Sequence, residues 1–509
     1  MKLTRTKTIV ILVSILSLGL VLRLMCIQWG LPDQRHRWPY HPDEGMVMMC
    51  LTTLDPVQGK ICPNFTYGSF FLYLLGVVIQ CAAWVKMVIL TPSVEFYRTH
   101  ILELRKIYLA GRLLSLFWGM LSIYLTYYLG RMIFNKRVGI LAACVVAIAP
   151  LAVIQSSLMT PHAQCTALLL AAIICGVQII RRGTLKWYIF CAISTALAST
   201  TYWFFGTTTA LVLVAAHIFA VRQGRLSRNN WLQRNKKLLY AACMFGVVFT
   251  VTAPCVVFGI KDFIFFWRMT QAKFNYPSTN IIYPLVRVLP YGFGSSWLVA
   301  ALGGSWMIVR GKSKEAKIFL FWAILYYVMA VFTGSHQWVR RFTPLVPAGA
   351  IFGAYCLIML GERIKRGRGL LIIITISLLL QTAWLSGASL SLYSHDTRDA
   401  AYVWINEKIP AQSRIAVVNW FHIPHIDKRE YQITEAVSVE DFKKGPFDYY
   451  LASSFDIAME RVFADPTLFV VKKFSHKPEF LAITFDDRSA PRDLRYANPD
   501  IYLFSKNAG

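Results

Sequence analysis

The chain has 509 residues, 56% of them hydrophobic, with 53 basic side chains against 26 acidic ones for a formal charge of +27. Soluble domains hold about 45–50% apolar residues, so this excess, with a mean hydropathy of +0.48, excludes an ordinary soluble protein and marks a polytopic membrane protein. The basic residues lie in short clusters between apolar segments, which is the charge pattern of membrane loops and excludes nucleic acid as a partner.

Lys2, Arg5 and Lys7 precede an apolar run over about 8–28. It is longer than a signal-peptide core, carries Arg23 and lacks a small-residue cleavage pattern, so it reads as an uncleaved first span with its N-terminus in the cytoplasm. The polar loop that follows contains Trp38-Pro39-Tyr40-His41-Pro42-Asp43-Glu44. Adjacent carboxylates behind a proline suit a helix N-terminus. They equally suit a site that holds a cation, a proton or a polar substrate at a membrane surface. Cys50 and Cys62 share this loop and would pair if it faces an oxidising compartment. Asn64-Phe65-Thr66 forms a glycosylation sequon that matters only in a eukaryote.

Further apolar segments fall at about 67–90, 106–130, 138–156, 162–180, 186–200, 203–221, 238–258, 291–309, 316–333, 342–360 and 369–390. Basic clusters separate many of them, among them Arg131/Lys136/Arg137, Arg181/Arg182/Lys186 and Arg363/Lys365/Arg366/Arg368. If 67–90 crossed the bilayer, these clusters would lie opposite the basic N-terminus. Placing 67–90 as an interfacial helix brings every cluster to the cytoplasmic side. The resulting expectation is a mainly α polytopic protein of about eleven transmembrane helices, with the C-terminus outside. The outer face then collects the first loop (29–105) and loops at 259–290 and 334–341, which hold Lys261, Arg268, Lys273, Arg287, His336, Arg340 and Arg341 against the inside bias.

After about residue 391 the composition changes. Thr397–Ile409 reads as an amphipathic helix closed by Pro410, and short β-type runs recur at Arg414–Val418, Tyr449–Ser453, Leu468–Val471 and Ile501–Phe504. The expected division is a membrane domain over 1–390 and an extracytoplasmic α/β domain over 391–509. No catalytic spacing stands out in the second; His422 and His425 lack further ligands and read as structural.

An outer-face site for an anionic, lipid-linked substrate needs a carboxylate and a cation that binds phosphate. Asp43 supplies the first, and Arg340 or Arg341 the second, because a guanidinium stays charged in a low-dielectric setting and grips phosphate oxygens in pairs. Trp338 and Phe342 flank the arginines, and Pro344 and Pro347 are expected to break the following span.

These residues give the chain its likeness to a family. Tyr40-His41-Pro42-Asp43-Glu44, the run from Pro63 to Tyr73, Ala110-Gly111-Arg112-Leu113, Ala149-Pro150 and Arg340-Arg341-Phe342-Thr343-Pro344-Leu345-Val346-Pro347 occur in order over roughly 350 residues. In that order and spacing they resemble the GT-C superfamily of integral membrane glycosyltransferases, particularly the branch of protein O-mannosyltransferases and the aminoarabinose transferases that modify lipid A. The resemblance implies a polyprenyl-phosphate-linked sugar donor (undecaprenyl or dolichyl), transfer on the outer or lumenal face, and Asp43 as the catalytic residue with Glu44 beside it. One departure stands out: where the family often has an acidic residue after a Thr-Pro pair, this chain has Thr160-Pro161-His162. That leaves both the acceptor class and the need for a metal open.

The expected mechanism is an inverting displacement with Asp43 as general base or metal ligand and Arg340/Arg341 on the donor phosphate. Glu44 would orient Asp43 or share a divalent cation. His41, Tyr67, Arg112, His162, Lys273, Tyr276 and His336 are the further substrate-binding candidates, with the 259–290 loop as a lid. The alternatives are a transporter or flippase of a lipid-linked sugar, or a receptor or scaffold that binds through its tail. No repeated half is visible and the acidic residues avoid the span centres, which weighs against transport. The acceptor, whether protein, lipid or glycan, is not legible.

Overall fold

The computed structural model describes residues 4–506 except 56–64, 66, 226–229, 274–280, 333–337, 365–366, 420–421, 427–429, 456–461, 464 and 485–490. It opens with α1 (Arg5–Cys26), then α2 (Pro42–Thr52), α3 (Ser69–Trp84), α4 (Val94–Thr99) and the long α5 (Ile101–Ile133). There follow α6 (Lys136–Ile148), α7 (Pro150–Gln155), α8 (His162–Arg182), α9 (Leu185–Thr201), α10 (Trp203–Arg222), α11 (Trp231–Thr252), α12 (Pro254–Phe258) and α13 (Ile260–Lys273). A π-helical turn (Pro284–Val288) leads into α14 (Leu289–Phe293), α15 (Ser295–Arg310) and α16 (Lys314–Phe332). A 3-10 turn (Val339–Phe342) then precedes α17 (Leu345–Arg363) and α18 (Arg368–Ser391).

Among the described residues seven helices are long and apolar enough to cross a membrane, and Pro284–Phe293 with Ser295–Arg310, bent by 112°, would make an eighth. The segments expected to span but not among these differ for local reasons. The 138–156 segment is cut by Pro150, which sits at the first position of α7 after an extended Ala149. The 238–258 segment is cut in the same way at Pro254. The 112° bend centres on Gly294, whose φ of +96° is a conformation other residues rarely adopt. α9, where 186–200 was expected to span, has 17 residues and α3, expected to be interfacial, has 16; at 1.5 Å each both fall short of a hydrocarbon core of about 30 Å. Residues 260–273, expected as loop, form a helix instead. Pro347 does not break α17 either: it lies in the first turn, where a missing N–H leaves no bond unmade.

α8 is the central element, buried over almost its whole length as expected of a helix apolar on every side. The break at Pro150 leaves the carbonyls of Val146 and Ala147 without their helical donors. The fully buried Arg23 of α1 takes their place, with Nη1 on Ala147 O at 3.1 Å and Nη2 on Val146 O at 3.4 Å. A cation thus spends its charge on backbone dipoles and fixes α1 against the α6–α7 corner.

The C-terminal part forms a five-stranded sheet. β1 (Arg414–Val417), β2 (Gln432–Thr434), β3 (Tyr449–Ser453), β4 (Phe469–Phe474) and β7 (Ile501–Ser505) lie in the order β2-β1-β3-β7-β4, with β1 parallel to β2 and β3 and the last two pairs antiparallel. α19 (Thr397–Lys408) and α20 (Val439–Lys444) accompany it, and a separate hairpin of β5 (Glu479–Phe480) and β6 (Ile483–Thr484) rests on α18, where Trp384 donates to Phe480 O. β2, α20 and the hairpin left no mark in the sequence pattern because each is short and polar.

One buried node ties this region to the first loop. Arg398, at the start of α19, meets Asp396 through Nε and Nη2, both at 2.8 Å, and donates to Tyr40 O and Tyr496 O. Trp29 donates to the same Asp396 at 3.1 Å. Burial raises the Asp396 pKa, but Arg398 outweighs it and holds the carboxyl below its usual range. The pair therefore stabilises the fold at neutral pH and loses that contribution as pH falls below about 4. Replacing Arg398 with Ala leaves a buried carboxylate unpaired, at a cost of about 3–5 kcal/mol. The expected result is a lower melting temperature and protease cleavage near residue 395, with the acid-dependent part of the melting curve lost; unchanged cleavage and melting would contradict it.

Candidate functional site

Asp43 stands at the second position of α2, behind Pro42, where the helix N-terminus favours a carboxylate. Its partner comes from nearly 300 residues away. Arg340 in the 3-10 turn points Nε at Asp43 Oδ2 (2.8 Å) and Nη2 at Oδ1 (3.1 Å), a two-pronged ion pair. The turn is held from behind, since Thr343 Oγ1 donates to Arg340 O and Tyr326 Oη of α16 donates to Arg341 O. The Trp338 ring lies 3.8 Å under the Arg340 guanidinium. The expected convergence of the first loop and the 334–341 loop is thus present as direct contact.

A third group was not expected. Asp493, in the 3-10 turn Arg492–Tyr496 of the C-terminal region, accepts the main-chain N–H of Arg340 at 3.2 Å and lies 3.5 Å from its Nη1. Burial raises the Asp493 pKa, against the pull of Arg340. For Arg340 itself burial works to lower the pKa, but Asp43 and Asp493 outweigh it, so the guanidinium stays charged. Tyr496 of the same turn packs edge-on against His41 at 5.4 Å, and His422 and Phe455 stack on its other side.

Glu44, expected to act beside Asp43, faces elsewhere, because consecutive helical residues point about 100° apart. Its carboxylate is fully buried on Arg112, at 2.8 Å from Nε and 2.6 Å from Nη2, and also accepts the Met159 N–H at 2.7 Å. Arg112 spends its remaining nitrogen on Ile27 O and Trp29 O, both at 2.7 Å. Neither has a side left for substrate or a shared cation. Together they fix α2, and hence Asp43, against α5 and the end of α1.

Of the other candidates, Tyr67 is buried with its hydroxyl 3.5 Å from Asp43 O. His41 caps α2 from an extended conformation, and burial pushes its pKa down to about 3, so it is neutral at physiological pH. His162 opens α8, edge-on to Tyr202 and within electrostatic reach of Arg340, Asp43, His41 and Arg341. Tyr276, His336 and the side chain of Lys273 lie outside the described residues. Cys50 is a free, buried thiol, so the Cys50–Cys62 pairing that the sequence left open is not made; Cys62 lies outside the described residues, and Cys255 is disulfide-bonded.

The buried polar atoms left unpaired concentrate here. They include Arg340 Nη1, Arg341 Nη1, His41 Nδ1, both ring nitrogens of His162 and Asp493 Oδ1, each without a hydrogen-bond partner. Native proteins leave few such atoms unmatched, so a cluster of them marks a place built for a polar ligand. Two of them belong to the guanidinium groups of Arg340 and Arg341, which suit an anion. Among the described residues no three His, Cys, Asp or Glu side chains converge on one point. With Asp43 ion-paired to Arg340, the described residues do not fit a resident divalent cation. A cavity of about 410 Å³, lined by His36, Trp38, Tyr40, Met49, Ile423 and His425, opens beside α2.

The family model for dolichyl-phosphate-mannose-protein mannosyltransferases matches residues 92–258. No curated protein sequence matches. Among solved structures, the archaeal oligosaccharyltransferase AglB from Archaeoglobus fulgidus aligns at a TM-score of 0.50 and 11% identity, covering 88% of this chain and 69% of its own. ArnT from Cupriavidus metallidurans aligns at 0.49 and 13%, covering 99% of both chains. At this identity the likeness to the archaeal oligosaccharyltransferase is one of fold.

The Glu44–Arg112 pair generates its own prediction. Glu44→Gln or Arg112→Ala alone strands a buried charge and should cost about 3–5 kcal/mol. The double variant Glu44→Leu/Arg112→Met should lose less than the two single losses combined. Melting of the purified proteins checks this, and additive losses would rule out a shared structural role.

Proposed function

We propose that the chain transfers a single sugar from a polyprenyl-phosphate donor to an acceptor on the extracytoplasmic face, with inversion at the anomeric carbon. The observation that carries this reading is the Asp43–Arg340 ion pair beside unpaired Arg341: a base and an anion site, built from loops far apart in sequence and sharing one guanidinium. The mannosyltransferase family match supports the donor class, as does the dolichol-phosphate held in the AglB structure.

The chemistry follows from the charges. The acceptor hydroxyl or amide nitrogen attacks the anomeric carbon, its proton passes to Asp43, and the bond from that carbon to the phosphate oxygen breaks with its electron pair on the phosphate. The donor phosphate, a singly charged diester, gains negative charge as it leaves, while Asp43 loses its own. Arg340 then relaxes its hold on Asp43 just as the phosphate needs it, so its positive charge follows the negative charge across the reaction. Arg341 adds a second guanidinium to the phosphate, and the neutral His41 and His162 line the path with hydrogen-bonding nitrogens. We assign the aromatic cavity beside Gly45 and Met49 to the acceptor. Residues 391–509 form an extracytoplasmic domain over it. A disulfide at Cys255, near the outer end of α11, supports an oxidising compartment on this side.

Asp43→Asn keeps the shape of the side chain but not the base. It should lower transfer by about 10²–10⁴-fold in purified enzyme that still binds donor, and lower the melting temperature by leaving Arg340 without its carboxylate. Arg341→Ala should weaken donor capture, read as a raised KM. Normal turnover by the Asp43→Asn protein would remove the proposed base.

A further inference from the structure

The membrane helices do not complete the site by themselves. Arg340, the residue on which base and phosphate both depend, is held on one side by Asp43 of the first loop and on the other by Asp493, 153 residues further along the chain in the C-terminal region. We propose that Asp493 is a positioning residue of the donor-phosphate site, so that the C-terminal domain forms one wall of the active centre rather than a separate module. This rests on the reading of Arg340 and Arg341 as the phosphate site.

Three features favour anchoring over competition, in which Asp493 would merely occupy the place of the phosphate. The closest contact is with the Arg340 main-chain N–H at 3.2 Å, a group no phosphate is needed to satisfy, while Nη1 is 3.5 Å away and outside hydrogen-bond range. The main-chain bond fixes the turn that presents both arginines, with the Trp338 ring 3.8 Å from the Arg340 guanidinium. Asp493 is also supported independently of Arg340. The Tyr496 carbonyl of the same turn is held by Arg398, and the Tyr496 ring packs on His41. When Asp43 takes up a proton and its grip on Arg340 weakens, the bond to Asp493 remains, and the guanidinium stays where the departing phosphate forms.

The test uses the full-length purified protein in nanodiscs and two probes, undecaprenyl phosphate and undecaprenol. Asp493→Ala removes the acceptor of the main-chain N–H; Asp493→Asn removes the charge and keeps an oxygen in place. We expect Asp493→Ala to weaken undecaprenyl phosphate binding on the order of tenfold, Asp493→Asn to stay within about threefold of wild type, and undecaprenol binding to be unchanged in both. Asp448→Asn, at an exposed pair in the same region, is the control expected to match wild type. Tighter phosphate binding by both Asp493 variants would mean that the carboxylate competes with phosphate and would overturn the proposal. So would wild-type binding by Asp493→Ala when Arg340→Ala/Arg341→Ala has lost it. If the double arginine variant binds normally, the phosphate-site reading itself fails.

Discussion

The site depends on one guanidinium shared between two carboxylates. Arg340 meets Asp43 through a two-pronged ion pair and Asp493 through its backbone, in a setting where all three side chains are almost removed from solvent. In such surroundings an unmatched charge is costly, so the three groups hold one another in place across 450 residues of chain. The same economy makes the site responsive: any proton or phosphate that alters one partner redistributes the hold on the other two. A general base that begins ion-paired and ends protonated, beside a leaving group that ends more negative, needs a cation able to serve both.

The surrounding structure holds those groups at the right depth. Glu44 and Arg112 are spent on each other and on the ends of neighbouring elements, which pins the helix that carries Asp43. Arg23 covers the carbonyls freed at Pro150, fixing the first helix below the site. Arg398 and Asp396 draw the first loop and the C-terminal turn together through Trp29, Tyr40 and Tyr496. All of these charged groups are buried. In the fold each closes a joint between elements.

The sequence made the bundle legible because long apolar runs and basic clusters are imposed by the bilayer, and a proline behind two carboxylates marks a helix start. It also indicated that loops at 43 and 340 would meet, since outward arginines opposing the charge bias need a reason. Separating Asp43 from Glu44 was beyond it: adjacent residues share every local signal and differ only in what faces them. Asp493 was hidden for a related reason. It sits in Pro491-Arg492-Asp493-Leu494-Arg495-Tyr496, a polar run like many surface turns, and its meaning depends on a contact 153 positions away. The breaks at Pro150 and Pro254 were visible as residues but not as interruptions, because apolarity continues across them.

The central claim is that this centre breaks a sugar–phosphate bond instead of moving an intact lipid. The most direct measurement follows a polyprenyl-phosphate donor labelled in both sugar and lipid, in proteoliposomes of the purified protein supplied with membrane extract as acceptor. The account predicts that the sugar label leaves the lipid and appears on an acceptor, with free polyprenyl phosphate released in equal amount. Movement of both labels together from one leaflet to the other, with the donor intact, would contradict it.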